Sequence, residues 1–132
     1  MRVYRPSDRI KVSIDGLTFT ISPLSYHEKA EIQEKAIEAG SGNFKAGLDA
    51  GMLAIKYALK DVDGLENADG SKFQYTGSDE DIDVLFNMEQ SDKLSFVCLN
   101  LIKGVPKTFI DPHDGKAIAG VKFVGDSSGK KK

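Results

Sequence analysis

The segment that most constrains the fold is a long helix, predicted from Phe44 to Lys60. Large apolar residues recur along it at helical spacing, a second face carries only small residues, and a third face is again apolar. The large residues are Phe44, Leu48, Met52, Ile55 and Leu59; the small ones are Gly47, Gly51, Ala54 and Ala58; the third face has Ala46, Ala50, Leu53 and Tyr57. Because a helix that is apolar nearly all round is usually buried, we expect it to be the central helix of the domain.

Alternating patterns around this helix predict β-hairpins. Arg9–Asp15 and Leu17–Ile21 each place apolar and polar side chains on opposite faces, and an Asp-Gly pair between them favours a tight turn. After the long helix, Asn67–Gly70 is a strong turn signal, and Lys72–Tyr75 is the predicted return strand. A third, small hairpin is predicted around Asp114.

The first helix is predicted from Tyr26 to Ala39, behind a capping box formed by Ser25 and Glu28. It is mostly charged, so we expect it at the surface, with a narrow apolar strip facing inward. That strip consists of Tyr26, Ala30, Ala36 and Ile37, with Ile32 at its edge. Glu31 and Lys35 are one turn apart and are expected to pair.

Two further helices complete the pattern, one capped by Ser78 and one running from Ser91 to about Lys103. The predicted fold is α+β, with about four helices around a long buried central helix and two or three β-hairpins. Residues 1–124 are predicted to form one domain. Residues 125–132 contain only Gly, Ser, Asp and Lys, and we expect a disordered polar and basic tail.

Composition narrows the functional classes. A chain of 132 residues suits one domain with one core. The formal net charge of −2 argues against a dedicated nucleic-acid-binding protein, which needs a basic surface to meet phosphates. No apolar run is long enough to cross a bilayer, and the first residues lack the apolar core of a signal peptide, so no membrane partner is expected.

The residues that carry chemistry in other proteins show no catalytic pattern here. Cys98 lies within an apolar helical pattern, so we expect a buried small hydrophobe instead of a nucleophile. His27 and His113 are far apart in sequence, and no close spacing supports a zinc site. We therefore predict no enzyme activity, no catalytic or metal site and no cofactor.

Two acidic segments have simpler explanations than a metal site. The acidic run of Asp79, Glu80, Asp81 and Asp83 lies at a helix start, where negative charge is favourable. The segment from Asp61 to Asp69 fails the order of ligands that a calcium loop requires, and turn formation explains it better.

The opening segment resembles a known family. Lys11–Ser25, with the sequence KVSIDGLTFTISPLS, resembles the opening of tail assembly chaperones of long-tailed (siphovirus) bacteriophages. Tyr57–Leu65 followed by Asp69–Phe73 is similar to the helix-to-hairpin segment of that family. The resemblance extends over roughly Arg9 to Lys103.

The resemblance implies a protein that binds the phage tape measure protein, keeps it soluble and helps the tail tube protein assemble around it. Such a protein acts in the host cytoplasm and is absent from the mature virion. Many members are made in two lengths by programmed ribosomal frameshifting. The end of the chain, Gly129–Lys132, is compatible with a slippery run of purine codons and equally compatible with an ordinary tail. The alternative is a structural tail protein, a completion or connector subunit, which would remain in the particle.

A surface for the tape measure protein is expected near the central and fourth helices, where apolar positions are in surplus. Our candidates for this partner-binding surface are Tyr57, Phe86, Phe96 and Leu99. Gly47 and Gly51 indicate that another backbone approaches the central helix closely. That neighbour is either an element of the same domain or a second molecule, so self-association is also open.

Overall fold

The first hairpin forms where the sequence predicts it. In the computed structural model, which describes residues 3–40, 42, 44–112 and 114–127, β1 (Arg9–Ile14) and β2 (Leu17–Ile21) pair antiparallel. Asp15 and Gly16 join them with φ angles of 50° and 88°, as a two-residue hairpin turn requires. This part of the prediction is confirmed.

The hairpin lies in the middle of a larger sheet. β3 (Leu59–Asp63) pairs with β2, and β4 (Val121–Ser127) pairs with β1, giving a four-stranded antiparallel sheet of order β3-β2-β1-β4 among the described residues. One face of the hairpin is fully buried and forms the sheet side of the core. Its side chains are Ile10, Val12, Ile14, Phe19 and Ile21.

Four α-helices are present in the described part of the chain, which confirms a mixed α+β fold. They are α1 (Tyr26–Gly40), α2 (Phe44–Ala58), α3 (Asp79–Phe86) and α4 (Ser91–Asn100), with a 3₁₀ turn at Leu101–Lys103 after α4. Their buried side chains join those of the sheet in one continuous core. The helical contribution includes Ile32, Ile55, Ile82, Leu85, Leu94 and Val97.

Both predicted helix caps are present. The Ser25 backbone N–H donates to Glu28 Oε1 at 2.8 Å, and the Glu28 N–H donates to Ser25 Oγ at 3.3 Å. The Asp81 N–H donates to Ser78 Oγ at 3.2 Å. These side chains satisfy N–H groups that have no partner within the first turn of a helix, which is why the helices begin there.

The helix α2 differs from its prediction in length and in burial. It ends at Ala58, two residues before Lys60, because the chain enters β3 directly at Leu59. It is buried on one face and not all round, since the side chain of Leu48 is 50% exposed. The buried face is lined by Ala46, Ala50, Ala54, Ile55 and Ala58.

The glycines of α2 allow neighbouring helices to approach. A Cβ placed on Gly51 would lie 3.2 Å from Ser95 Oγ of α4, and one on Gly47 would lie 3.5 Å from Ala39 Cβ of α1. Elements of the same domain therefore account for both glycines.

The second predicted hairpin does not form. Lys72 makes only an isolated bridge with Glu66, and no strand runs from Lys72 to Tyr75. The segment Leu59–Asp63 pairs with β2 instead, because this places Leu59 and Val62 beside Ile21 and Phe19 on the buried face of the sheet. The third predicted hairpin is likewise reduced to one bridge, between Ile110 and Ala117.

The predicted tail begins at Gly125, whereas residues 125–127 belong to β4. β4 continues through Ser127, because its backbone pairs with β1 as far as Arg9. The register skips Val124, so this residue forms a bulge on the edge strand. The remainder of the predicted tail, residues 128–132, lies outside the described residues.

Candidate partner-binding groove

The apolar residues of α1 are arranged differently from the prediction. Ile32 is the buried residue of this helix, whereas Tyr26 and Ile37 are 79% and 74% exposed. Glu31 accepts a hydrogen bond from the hydroxyl of Tyr57, and the predicted partner Lys35 lies 4.0 Å from Glu38 instead. The predicted inward strip therefore faces outward, and α1 presents apolar side chains to the surface.

An apolar groove of about 730 Å³ lies beside these exposed residues. One wall is the C-terminal half of α1. The opposite wall is the end of α4, the 3₁₀ turn and the loop that follows. The lining residues are Gln33, Ala36 and Ile37 on the first wall, and Leu99, Asn100, Ile102, Lys103, Gly104, Val105, Pro106, Ile110 and Pro112 on the second.

The side chain of Asn100 holds the second wall together. Its Nδ2 donates to the carbonyl oxygens of Phe96, at 2.6 Å, and of Ile110, at 2.8 Å. Its Oδ1 accepts from the Ile110 N–H at 3.0 Å. Both backbone polar groups of Ile110 are thus tied to the end of α4, which fixes the loop at the edge of the groove.

A small folded loop carries Ile110 to this position. Phe109 is buried and anchors the loop in the core, and its carbonyl accepts from the Ile118 N–H at 3.0 Å. The Asp111 N–H donates to the Lys116 carbonyl at 2.8 Å. Because neighbouring side chains here point to opposite sides of the chain and Phe109 points into the core, the side chain of Ile110 is 41% exposed at the groove.

Among the described residues that line the groove, one is charged, Lys103 at the end of the 3₁₀ turn. The other polar lining side chains are Gln33 and Asn100, and the Asn100 amide is engaged with Ile110. As far as the structure describes its lining, the groove is therefore an apolar trough with Lys103 on one wall. Such a surface favours the apolar face of a helix over a small polar substrate.

Of the four residues predicted for partner binding, Leu99 lines the groove. Phe96 is half-buried on the same helix, but it is not a lining residue. The remaining two lie elsewhere. Phe86 is packed near Gly51, where its ring atom Cζ would be 3.9 Å from an added Cβ.

Tyr57 connects two helices and does not line the groove. Its hydroxyl donates to Glu31 Oε2 at 2.6 Å, and this hydrogen bond raises the pKa of Tyr57. The groove residues that the prediction missed are mainly Ile37, Asn100 and Ile110. The sequence offered a signal for Ile37 only, because it is an apolar residue on a helix that was expected to be mostly charged.

The remaining candidates for chemistry occupy structural positions. Cys98 is fully buried, and burial raises the pKa of its thiol to about 12, which confirms the prediction of a buried hydrophobe. His27 is exposed and makes an edge contact with Tyr26, with ring centroids 5.6 Å apart. His113 lies outside the described residues. Within the described ranges, no group of three or more His, Cys, Asp or Glu side chains could hold a metal ion.

The acidic turn residues are engaged in local hydrogen bonds. Asp69 Oδ1 accepts from the Ser71 hydroxyl at 2.6 Å and the Ser71 N–H at 2.9 Å, and these bonds lower the pKa of Asp69. Asp81 Oδ2 accepts from the Thr76 N–H and hydroxyl, both at 2.7 Å. Turn formation and helix capping therefore account for these carboxylates.

The comparisons with known proteins found no match to a protein-family model, to a curated protein or to a solved structure. No helix in the part of the chain that the structure describes has the length and apolar content of a membrane span.

Proposed function

We propose that this protein is a tail assembly chaperone of a long-tailed bacteriophage, which binds the tape measure protein, keeps it soluble and promotes assembly of the tail tube around it. The observation that supports the proposal most strongly is the apolar groove between α1 and the end of α4. The resemblance of Lys11–Ser25 to the opening of that family supplies the identity of the partner.

The groove suits a helical client for a physical reason. A tape measure protein exposes long apolar helical stripes before assembly, and exposed stripes of this kind associate with one another. A trough lined by side chains such as Leu99, Ile102 and Ile110 removes one stripe from water. The backbone of the second wall is fixed by Asn100, so little ordering of this wall accompanies binding.

Co-expression with the tape measure protein of the same phage tests the proposal. The wild-type chain should keep the client in the soluble fraction, whereas Ile110→Glu and Leu99→Glu should leave it aggregated. Val124→Glu is the matched control, because Val124 is 57% exposed on β4 and is not a lining residue of the groove. Circular dichroism must show that each variant folds. If folded groove variants keep the client as soluble as wild type does, the groove is not the client site.

Mass spectrometry of purified virions separates this proposal from the alternative, a structural tail protein. A chaperone of the host cytoplasm should be present in infected cells and absent from finished particles. A completion or connector subunit would be found in the particles at a fixed ratio to the tail tube protein. Expression of the native gene with its downstream DNA adds a second test, because a minor longer product would indicate ribosomal frameshifting.

A further inference from the structure

We infer that two copies of this chain associate through α1 and the groove, with the α1 of each copy lying over the groove of the other. The inference starts from the exposed face of α1. Tyr26, Ala30, Gln33 and Ile37 lie within an arc of about 60° on the helix, since each residue turns the helix by about 100°. This face is mainly apolar, and its two largest apolar side chains, Tyr26 and Ile37, are mostly exposed.

The exposed face of α1 and the groove are adjacent parts of one surface. Ile37 belongs to both, and Ala36, which lies about 100° from it around the helix, lines the groove. A surface that contains both a protruding helix and a trough of its own can pair with itself. This is the property that a two-fold interface requires, because the same patch is used on both subunits.

The arrangement fixes where the two-fold axis must lie. An axis parallel to α1, placed between the helix and the groove, carries each α1 over the groove of the other copy. The two α1 helices are then parallel, and their residues stay at the same level along the axis. The Ile37 side chain of each copy then contacts the apolar groove wall of the other copy.

The charges of α1 and of the groove are complementary in this arrangement. Glu34 and Glu38 lie on the side of the α1 face that points away from the groove, as the helical rotation from Ile37 shows. Glu38 also lies 4.0 Å from Lys35 of the same helix, so Glu34 is the main acidic contribution of this side. The two-fold axis places that side of α1 in one copy against the second wall of the groove in the other copy. Lys103, the charged residue among the described lining of the groove, lies on that wall. Opposite charges thus favour a second copy of this chain as the occupant.

One consequence rests on the proposed function. If the groove also binds the tape measure protein, self-association covers the same apolar surface until the client replaces it. Client and second copy then compete, and the complex with the client contains one copy of the chain per bound stripe. The association itself does not depend on this consequence.

Sedimentation velocity of the full chain, without any client, tests the inference. Wild type should show a concentration-dependent dimer. Ile37→Glu should weaken dimerisation by about tenfold or more, since it places a charge against an apolar wall. Lys103→Glu should also weaken it, and combining Lys103→Glu with Glu34→Lys and Glu38→Lys should restore it. Val124→Glu should leave the dimer unchanged.

Three results would overturn the inference. They are a wild-type chain that stays monomeric at every concentration, a dimer that Ile37→Glu does not weaken, and a failure of the triple charge exchange to recover dimerisation lost in Lys103→Glu. Ile37 is largely exposed, so loss of folding is not expected, and circular dichroism checks it. Because the tape measure protein is absent from the sample, failure here is distinguishable from failure of the chaperone proposal.

Discussion

Asn100 offers a direct test of how the groove is built. Its side chain makes three hydrogen bonds, at 2.6, 2.8 and 3.0 Å, and two of them hold the backbone of Ile110. Asn100→Ala removes all three hydrogen bonds, so the backbone N–H and carbonyl of Ile110 must hydrogen-bond to water instead. The substitution should therefore release the loop that forms one wall of the groove, while the core beneath it stays packed.

The magnitude follows from the exposure of these bonds. A fully formed hydrogen bond contributes about 0.5–1.5 kcal/mol, and the two bonds to Ile110 are near the surface, at the lower end of that range. We expect the free energy of unfolding to fall by about 2 kcal/mol in total. For a chain of 132 residues this corresponds to a decrease in Tm of roughly 6–10 °C.

Urea denaturation measures the loss of stability, and amide hydrogen exchange locates it. In Asn100→Ala the Ile110 amide should exchange much faster than in wild type, while amides of β1 keep their relative protection. Asn67→Ala is the matched control, because Asn67 also bridges a loop, through Ser71 and Lys72, at the exposed surface. A loss in Asn100→Ala no larger than in Asn67→Ala, with unchanged exchange at Ile110, would refute this account of the groove wall.

Three further predictions concern other parts of the chain. Gly120→Ala should lower the free energy of unfolding by about 2 kcal/mol. Gly120 has a φ of 77°, and an added Cβ would overlap the Asp15 carboxylate. Urea titration measures the loss, and an unchanged midpoint would contradict the prediction. Cys98 should not react with a thiol reagent at pH 8 until the protein unfolds, since the thiol is buried and its pKa is raised to about 12; labelling of the native protein at the unfolded rate would contradict this. The backbone N–H and hydroxyl of Thr76 lower the pKa of Asp81 below its ordinary value of 3.8. The stability that this carboxylate contributes is therefore complete above pH 3.8. It is lost as the pH falls towards the lowered pKa of Asp81 in the folded protein. Thermal melts of wild type and Asp81→Asn should therefore converge as the pH drops below 3.8, and a constant difference would contradict the assignment.

Local signals in the sequence were sufficient for the first hairpin and the helix caps. The Asp15-Gly16 turn, the alternation on either side of it and the Ser25–Glu28 box all act within a few residues. Such features depend on short-range sterics and hydrogen bonds, so the residue types alone specify them.

Pairing between distant segments could not be predicted in the same way. Leu59–Asp63 has a turn signal after it, which suggested a local hairpin, but its apolar residues are buried better against β2. β4 pairs with β1 from the other end of the chain, and this pairing orders Gly125–Ser127 despite their polar composition. The choice between such partners depends on the packing of the whole core.

The groove was only partly accessible from the sequence. Leu99 follows from the apolar pattern of α4, but the role of Asn100 depends on a loop that begins after the helix ends. The apolar residues of α1 were visible, yet the direction they face was assigned wrongly. Ile32 is the one fully buried side chain of that helix, and a single buried residue is too weak a signal in the sequence to fix its orientation.

Site-specific photo-crosslinking in cells that co-express the tape measure protein tests the central claim most directly. A photoreactive residue placed at Ile110 lies at the groove, and one placed at Val124 lies on the edge strand outside it. The account predicts a crosslinked product with the mass of this chain plus the tape measure protein from position 110 and none from position 124. Crosslinking from position 124 alone, or none from either position while the client stays soluble, would contradict the claim that the groove binds the client.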